Sequence, residues 1–419
     1  MAQFRVPLDT EIERAIGDIS ITSEAEQRLY SIDHDFHPTI PIPSLDDWLK
    51  EHQEFGQTFP VFVKKIRHWK GSQGRNTFYI LPIGAFPEGL LDMVVEYIRS
   101  SFHPMKVMKY EPIGIDAEGM GARLNERTQK PQLWVPSLIE LMTPQLPRDA
   151  ISFLGVTMED LYLAEDPDWT HGQENLSTRV GIFSFARYDP AFYNAKQSAT
   201  YQATLVRRIC KVAAHEVALM LVLKNCIYFH CAMNGTNTLA ELDKRPCTMC
   251  PVCVRKISAI TKGSPIERYR KLLDFYTKYS EYFAPEQDWF SRRLDSLTKP
   301  AEPVTATAAP LTGTGVQKRP GSAGGRRLVS AGVARPTTPS SSKAAVIKKA
   351  ISQPGYAKPL NKKSVTSLVP KNLRAMIDKA STSKNAENDD AFSVGSDEEE
   401  EEFAFKSPTP KLSHLAISA

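Results

Sequence analysis

No apolar run in this chain approaches the roughly 18 to 20 residues that span a bilayer, so no membrane-crossing helix is expected. The N-terminus also lacks the uninterrupted apolar core of a secretion signal, because Arg5, Asp9, Glu11, Glu13 and Arg14 break it up. These two absences predict a soluble protein in a reducing compartment, cytoplasm or nucleus, without membrane association. A charge excess is missing as well: residues 1–300 hold 35 Lys+Arg against 37 Asp+Glu, which excludes an electrostatic nucleic-acid surface on the folded part. Internal repeats are absent, and so is a disulfide framework. In a reducing compartment the six cysteines, Cys210, Cys226, Cys231, Cys247, Cys250 and Cys253, are more readily metal ligands than staples. All lie within 44 residues, and that clustering favours a metal site.

What the chain does contain divides by composition. Residues 1–70 read as an N-terminal extension with a short helix over Ser23–Tyr30, a proline-interrupted connector at Pro38, Pro41 and Pro43, and a capped helix start at Ser44–Asp47 leading into Trp48. Residues 71–295 alternate strands and helices. Thr77–Ile83, Lys106–Tyr110, Gln132–Val135, Ile151–Val156 and Val180–Phe185 have the branched and aromatic content of strands. Helices are expected from Phe86-Pro87 onward, over Ser137–Met142, and from the Ser264-Pro265-Ile266-Glu267 start to about Phe283. The longest helical stretch, Tyr201–Leu223, has no Gly or Pro. The pattern is α/β.

From 296 onward the character changes. Residues 301–384 contain two acids amid Ala, Pro, Ser, Thr, Gly, Lys and Arg, too little apolar surface to offset ordering entropy. A disordered low-complexity tail over 296–419 is expected. It carries a basic stretch from Lys318 to Arg327, six consecutive acids at Asp397–Glu402, and Ser396, Ser407-Pro408 and Thr409-Pro410 as modification candidates. Such a tail offers a surface for protein partners.

The chemistry-bearing pattern lies on the long helix. In a helical His-Glu-x-x-His, two imidazoles one turn apart share a zinc ion while the Glu between them serves as general base for zinc-bound water. A longer form adds a Gly that breaks the helix and a third His that returns to the metal. This chain has His215-Glu216, but Leu219 stands at the second His, Val222 at the Gly and Asn225 at the third His. Leucine has no donor atom. A β-branched residue disfavours positive φ, so the helix is expected to continue through Leu223 and carry residue 225 away from the cleft.

The residues that follow are distinctive: Cys226-x4-Cys231-x-Met233, sixteen residues, then Cys250-Pro251-Val252-Cys253. With Gly155–Tyr162, Gly181–Tyr188, Arg245-Pro246 and Ile266–Tyr269, this arrangement resembles the archaemetzincins, a zinc metallopeptidase family, over about residues 20–285. The resemblance implies a metzincin-like mixed twisted sheet with an active-site helix, a C-terminal zinc-binding loop region, and metal-dependent peptide-bond hydrolysis. Carried over, it assigns His215 as first catalytic zinc ligand, Glu216 as general base and Met233 as the methionine beneath the metal. Cys226, Cys231, Cys250 and Cys253 would hold a second, structural zinc. Cys247 forms a competing Cys-x-x-Cys with Cys250, and His230 is an alternative donor. The strand at 180–185 would be the sheet edge on which an extended peptide aligns.

Two expectations follow for function. The first is a catalytically impaired pseudopeptidase that keeps its structural zinc and a cleft for a peptide or protein partner. The alternative is an active zinc metallopeptidase with a remodelled catalytic site.

Overall fold

The computed structural model of the chain describes residues 4–164, 168–194 and 198–298. Its N-terminal segment forms α1 (Asp9–Ile16), α2 (Glu24–Tyr30), α3 (Trp48–Glu51) and α4 (Phe59–His68). Ser23 caps α2 through a reciprocal box with Glu26, as the sequence suggests, whereas α3 is a single turn with no side-chain cap. Rather than standing apart, this segment buries Ile12, Ala15, Ile16, Leu29, Tyr30 and Phe62 in the main core.

The central sheet follows. Strand β1 (Thr77–Ile83) leads through α5 (Leu90–Ser101) to β2 (Lys106–Lys109). Helix α5 starts three residues later than Phe86-Pro87 suggests, because Gly89 caps it with φ 72°, a conformation suited to glycine. The short β3 (Arg123–Leu124), β4 (Pro131–Trp134) and α6 (Val135–Met142) precede β5 (Ala150–Thr157) and β6 (Asp160–Tyr162). Then come β7 (Gly172–Asn175) and β8 (Val180–Ser184).

Strand order is β2-β1-β5-β8-β7, with β3-β4-β6 as a smaller sheet. The β2-β1-β5-β8 pairings are parallel and β7 runs antiparallel to β8, so the main sheet is mixed. Period-2 alternation sends Phe78 and Ile80 into one core and Tyr79, Leu81 and Ile83 into the other. Val180–Phe185 therefore does not form the edge. Strand β8 is covered on both sides by β5 and β7, which accounts for its continuous burial, and the edge belongs to the polar β7.

The remaining helices are α7 (Tyr201–Met220), α8 (Leu239–Lys244), α9 (Pro251–Thr261), α10 (Pro265–Lys278) and α11 (Ser280–Thr298). The last helix expected from Ser264 is thus two, broken at Tyr279 and bent again at Phe283 ahead of Pro285. Residues 296–298 finish α11, and the rest of the tail, with its basic stretch, acidic run and modification candidates, lies outside the described residues. No helix among the described residues is long and apolar enough to cross a membrane.

Candidate active-site cleft and cysteine cluster

Helix α7 ends at Met220, not Leu223. Val222 takes φ 60°, and two hydrogen bonds close the end: Val222 N–H to the Leu219 carbonyl (2.9 Å) and Leu223 N–H to the Ala218 carbonyl (3.1 Å). This paired closure is a Schellman motif, normally built on glycine at the left-handed position. Burial of the Val222 side chain and a bond from Gln57 Nε2 to its carbonyl (3.1 Å) hold the valine there. The sequence-based expectation of a continuing helix is overturned, because tertiary contacts outweigh a local preference of roughly 1–2 kcal/mol.

The consequence is that residue 225 does return. Asn225 lines the same cavity as His215, Glu216 and Leu219, of about 140 Å³. Its Nδ2 donates to Glu54 Oε1 (2.8 Å), while its Oδ1 is buried without a partner. His215 is buried, with Nδ1 3.2 Å from the Ala232 carbonyl and 3.2 Å from Arg245 Nη1. Burial, and then Arg245, push its pKa down to about 3, so the ring is neutral at ordinary pH. The adjoining Met233 is fully buried in the turn that carries Ala232.

Glu216 faces the cavity from α7, and Glu174 faces it from the edge strand β7. The Glu216 carboxyl is held well above the usual range by burial and by Glu174, with Arg245 opposing. Glu174 is raised by burial. His171, just before β7, stacks on Tyr188 with ring centroids 4.7 Å apart, and burial drives its pKa to about 3.

A third wall comes from the N-terminal segment. Trp48, Glu54 and Lys65 line the cavity. Trp48 donates Nε1 to Glu54 (3.0 Å) and packs so closely on Gly235 that a Cβ there would fall 2.5 Å from its ring. These residues carried no motif and were not singled out from sequence. The one available signal was the capped start just before Trp48.

As a catalytic zinc site the constellation does not fit. His215 supplies an imidazole and Asn225 at best an amide oxygen, while Leu219, half-buried against the core, supplies no donor. The cluster of Cys226, Cys231, Cys250 and Cys253 fits zinc well. All four are buried, and their Sγ atoms lie within 4.8 Å of one another, with Cys226 and Cys250 at 3.6 Å. Tetrahedral Zn–S bonds of about 2.3 Å put sulfurs ~3.8 Å apart, within this spread. Backbone N–H groups of Met233 (3.4 Å) and Cys250 (3.3 Å) donate to Cys231 Sγ. Hydrogen bonds from the other three thiols hold Cys226 well below its usual pKa. Cys247 is not in the cluster: it is buried near Glu286, Lys211 and Arg207, which removes the competing pairing. Cys210 is a core residue, and His230 does not line the cleft.

A helix carrying His-Glu, an antiparallel edge strand lining the same cavity and a four-cysteine cluster are parts that a metallopeptidase-type domain combines. The model of Peptidase family M54 matches residues 145–259. Archaemetzincin-2 of Rattus norvegicus is 31% identical over 285 residues, covering 61% of this chain and 78% of that protein. Archaemetzincin-1 of Homo sapiens is 26% identical over 262 residues, covering 56% of this chain and 53% of that protein. Among solved structures, the archaemetzincin of Archaeoglobus fulgidus in complex with malonate is similar at 20% identity and TM-score 0.33, covering 43% of this chain and 99% of that one. A zinc-dependent peptidase from Methanocorpusculum labreanum is similar at 22% identity and TM-score 0.35, over 43% of this chain and 99% of that one. The chain belongs to the archaemetzincin family of zinc metallopeptidases.

Proposed function

We propose that this archaemetzincin-family chain is a pseudopeptidase: a domain built on one structural zinc, with a cleft that binds an extended peptide or partner segment without hydrolysing it. The observation that carries this reading is Leu219, lining the cleft one turn from His215 where a second metal donor would have to stand. One imidazole and one amide oxygen are a poor set for an ion that in catalytic sites takes three protein ligands and keeps one position open. Glu216, pushed toward its neutral form by burial and Glu174, is also a poor base unless a nearby cation restores its charge. Binding does not depend on the metal, because the edge strand β7 can pair an extended backbone by main-chain hydrogen bonds.

A specific observation favours the second reading, an active enzyme with a remodelled site. The turn at Val222 keeps residue 225 at the cavity that His215 lines, so two of the three ligand positions remain in one cleft. Zinc counting on the purified chain separates the two. One tightly held zinc per chain and no chelator-sensitive cleavage of peptides is the expected result. Two zinc ions together with such cleavage would overturn the pseudopeptidase reading.

A further inference from the structure

Among the described residues, three cations around the cleft have no acid bound to them. Lys65 on α4 and Lys224 just past α7 line the cavity, are exposed, and form no ion pair or hydrogen bond with a described residue. Lys224 lies close enough to Lys65 for the two like charges to repel, which lowers the Lys65 pKa. At the inner wall, Arg245 is 4% exposed. Its Nη1 donates to the Asn234 carbonyl (2.8 Å) and abuts His215, but Nε and Nη2 are buried without partners. The acids that face these cations do not neutralise them. No ion pair among the described residues joins Glu54, Glu174 or Glu216 to any of them, and Glu54 is engaged by Trp48 and Asn225.

We infer that the cleft takes an acidic peptide segment, its carboxylates meeting Lys65 and Lys224 at the mouth and the unpaired edge of Arg245 within. This rests on the reading of the cleft as a peptide site and names the chemistry of its occupant. A guanidinium with two adjacent unpaired N–H groups matches a carboxylate in a forked, charge-assisted pair. The ligand would satisfy donors that now have no partner, and the lysine pair would set partner choice and encounter rate.

The test uses the full chain and three labelled peptides of one length bearing Glu, Gln or Lys at the same positions, followed by fluorescence anisotropy. The Glu peptide is expected to bind about tenfold tighter than the Gln peptide at low salt, with the gap narrowing as salt screens it. The double reversal Lys65→Glu/Lys224→Glu, at two exposed positions, should invert the order so that the Lys peptide binds best, with the melting temperature unchanged. Arg245→Lys, which keeps the charge and loses the fork, should weaken the Glu peptide several-fold and leave the Gln peptide alone. Equal binding of Glu and Gln peptides, or an order unmoved by the double reversal, overturns the inference while leaving a peptide cleft in place. Failure of all three peptides to bind overturns both. Cleavage of any of them sinks the pseudopeptidase reading alone, and the order of affinities still decides the acid preference. The chain also carries its own acidic run, Asp397–Glu402. Neutralising it with Asn and Gln in the full chain identifies the source: tighter Glu-peptide binding assigns the acidic segment to this chain, and unchanged binding assigns it to a partner.

Discussion

At position 222 a β-branched residue occupies the left-handed turn that ends α7, and two terms of opposite sign meet there. The conformation costs roughly 1–2 kcal/mol relative to glycine. Burying the valine side chain returns about 1.5–3 kcal/mol. Val222→Gly should therefore change unfolding free energy by only about 1 kcal/mol, far less than an ordinary core truncation. Chemical denaturation checks this, and a loss above about 3 kcal/mol would mean that the valine is unstrained. Because the turn already exists, a three-imidazole metal site needs donors rather than a new backbone path. Leu219→His with Asn225→His should raise the zinc count from one to two per chain, without any change at Val222. A count that stays at one would mean that Arg245 beside His215, or the carboxyl pair facing it, bars the ion even when three imidazoles are present.

At the scale of elements, the cysteine loop and the sheet edge differ in how much of them the sequence carried. Four thiols at fixed spacing are readable because zinc chemistry imposes the residue type. The structure then adds what spacing leaves open, namely that Cys247 points elsewhere. Strands β1, β5 and β8 were readable from their apolar runs for a similar reason: burial on both faces dictates composition. The edge strand β7, Gly172–Asn175, was not, since a short polar run with one buried residue looks like a loop. Its identity depends on which strand it pairs with, and that is a long-range property. The turn at Val222 was misread because burial and the Gln57 bond are likewise long-range. A structural zinc contributes apparent binding energy of about 10–16 kcal/mol, comparable to the whole stability of a domain. Cys253→Ser should therefore lose both the zinc and cooperative unfolding, while Cys247→Ser should keep one zinc per chain. Metal counting alongside thermal melts distinguishes them. Equal zinc loss in both variants would move Cys247 back into the site.

At the scale of the whole molecule, the first 70 residues are the part whose role composition concealed. They read as an extension, yet they supply Trp48, Glu54 and Lys65 to the cleft, Gln57 to the α7 turn, and His37 to the core. His37 shows how this packing couples to pH. It is 1% exposed, lies against the Phe229 and Trp289 rings, and has neither ring nitrogen hydrogen-bonded. Burial, and then the Arg293 charge, bring its pKa down to about 3 from an ordinary 6.5. His171 in the cleft is depressed to a similar value, again mainly by burial. A histidine with a lowered folded pKa takes up its proton first in the unfolded chain. Its contribution is therefore complete above about pH 6.5 and is lost as pH falls toward 3, at about 1.4 kcal/mol per pH unit for each group. His37→Leu, which removes one such group and leaves an apolar residue between the rings, should flatten the fall in stability between about pH 6 and 4 by one proton's slope. Urea unfolding across that range measures it. An unchanged slope would mean that His37 is already protonated in the folded chain, and the ring-lined pocket would then have to hold a charge.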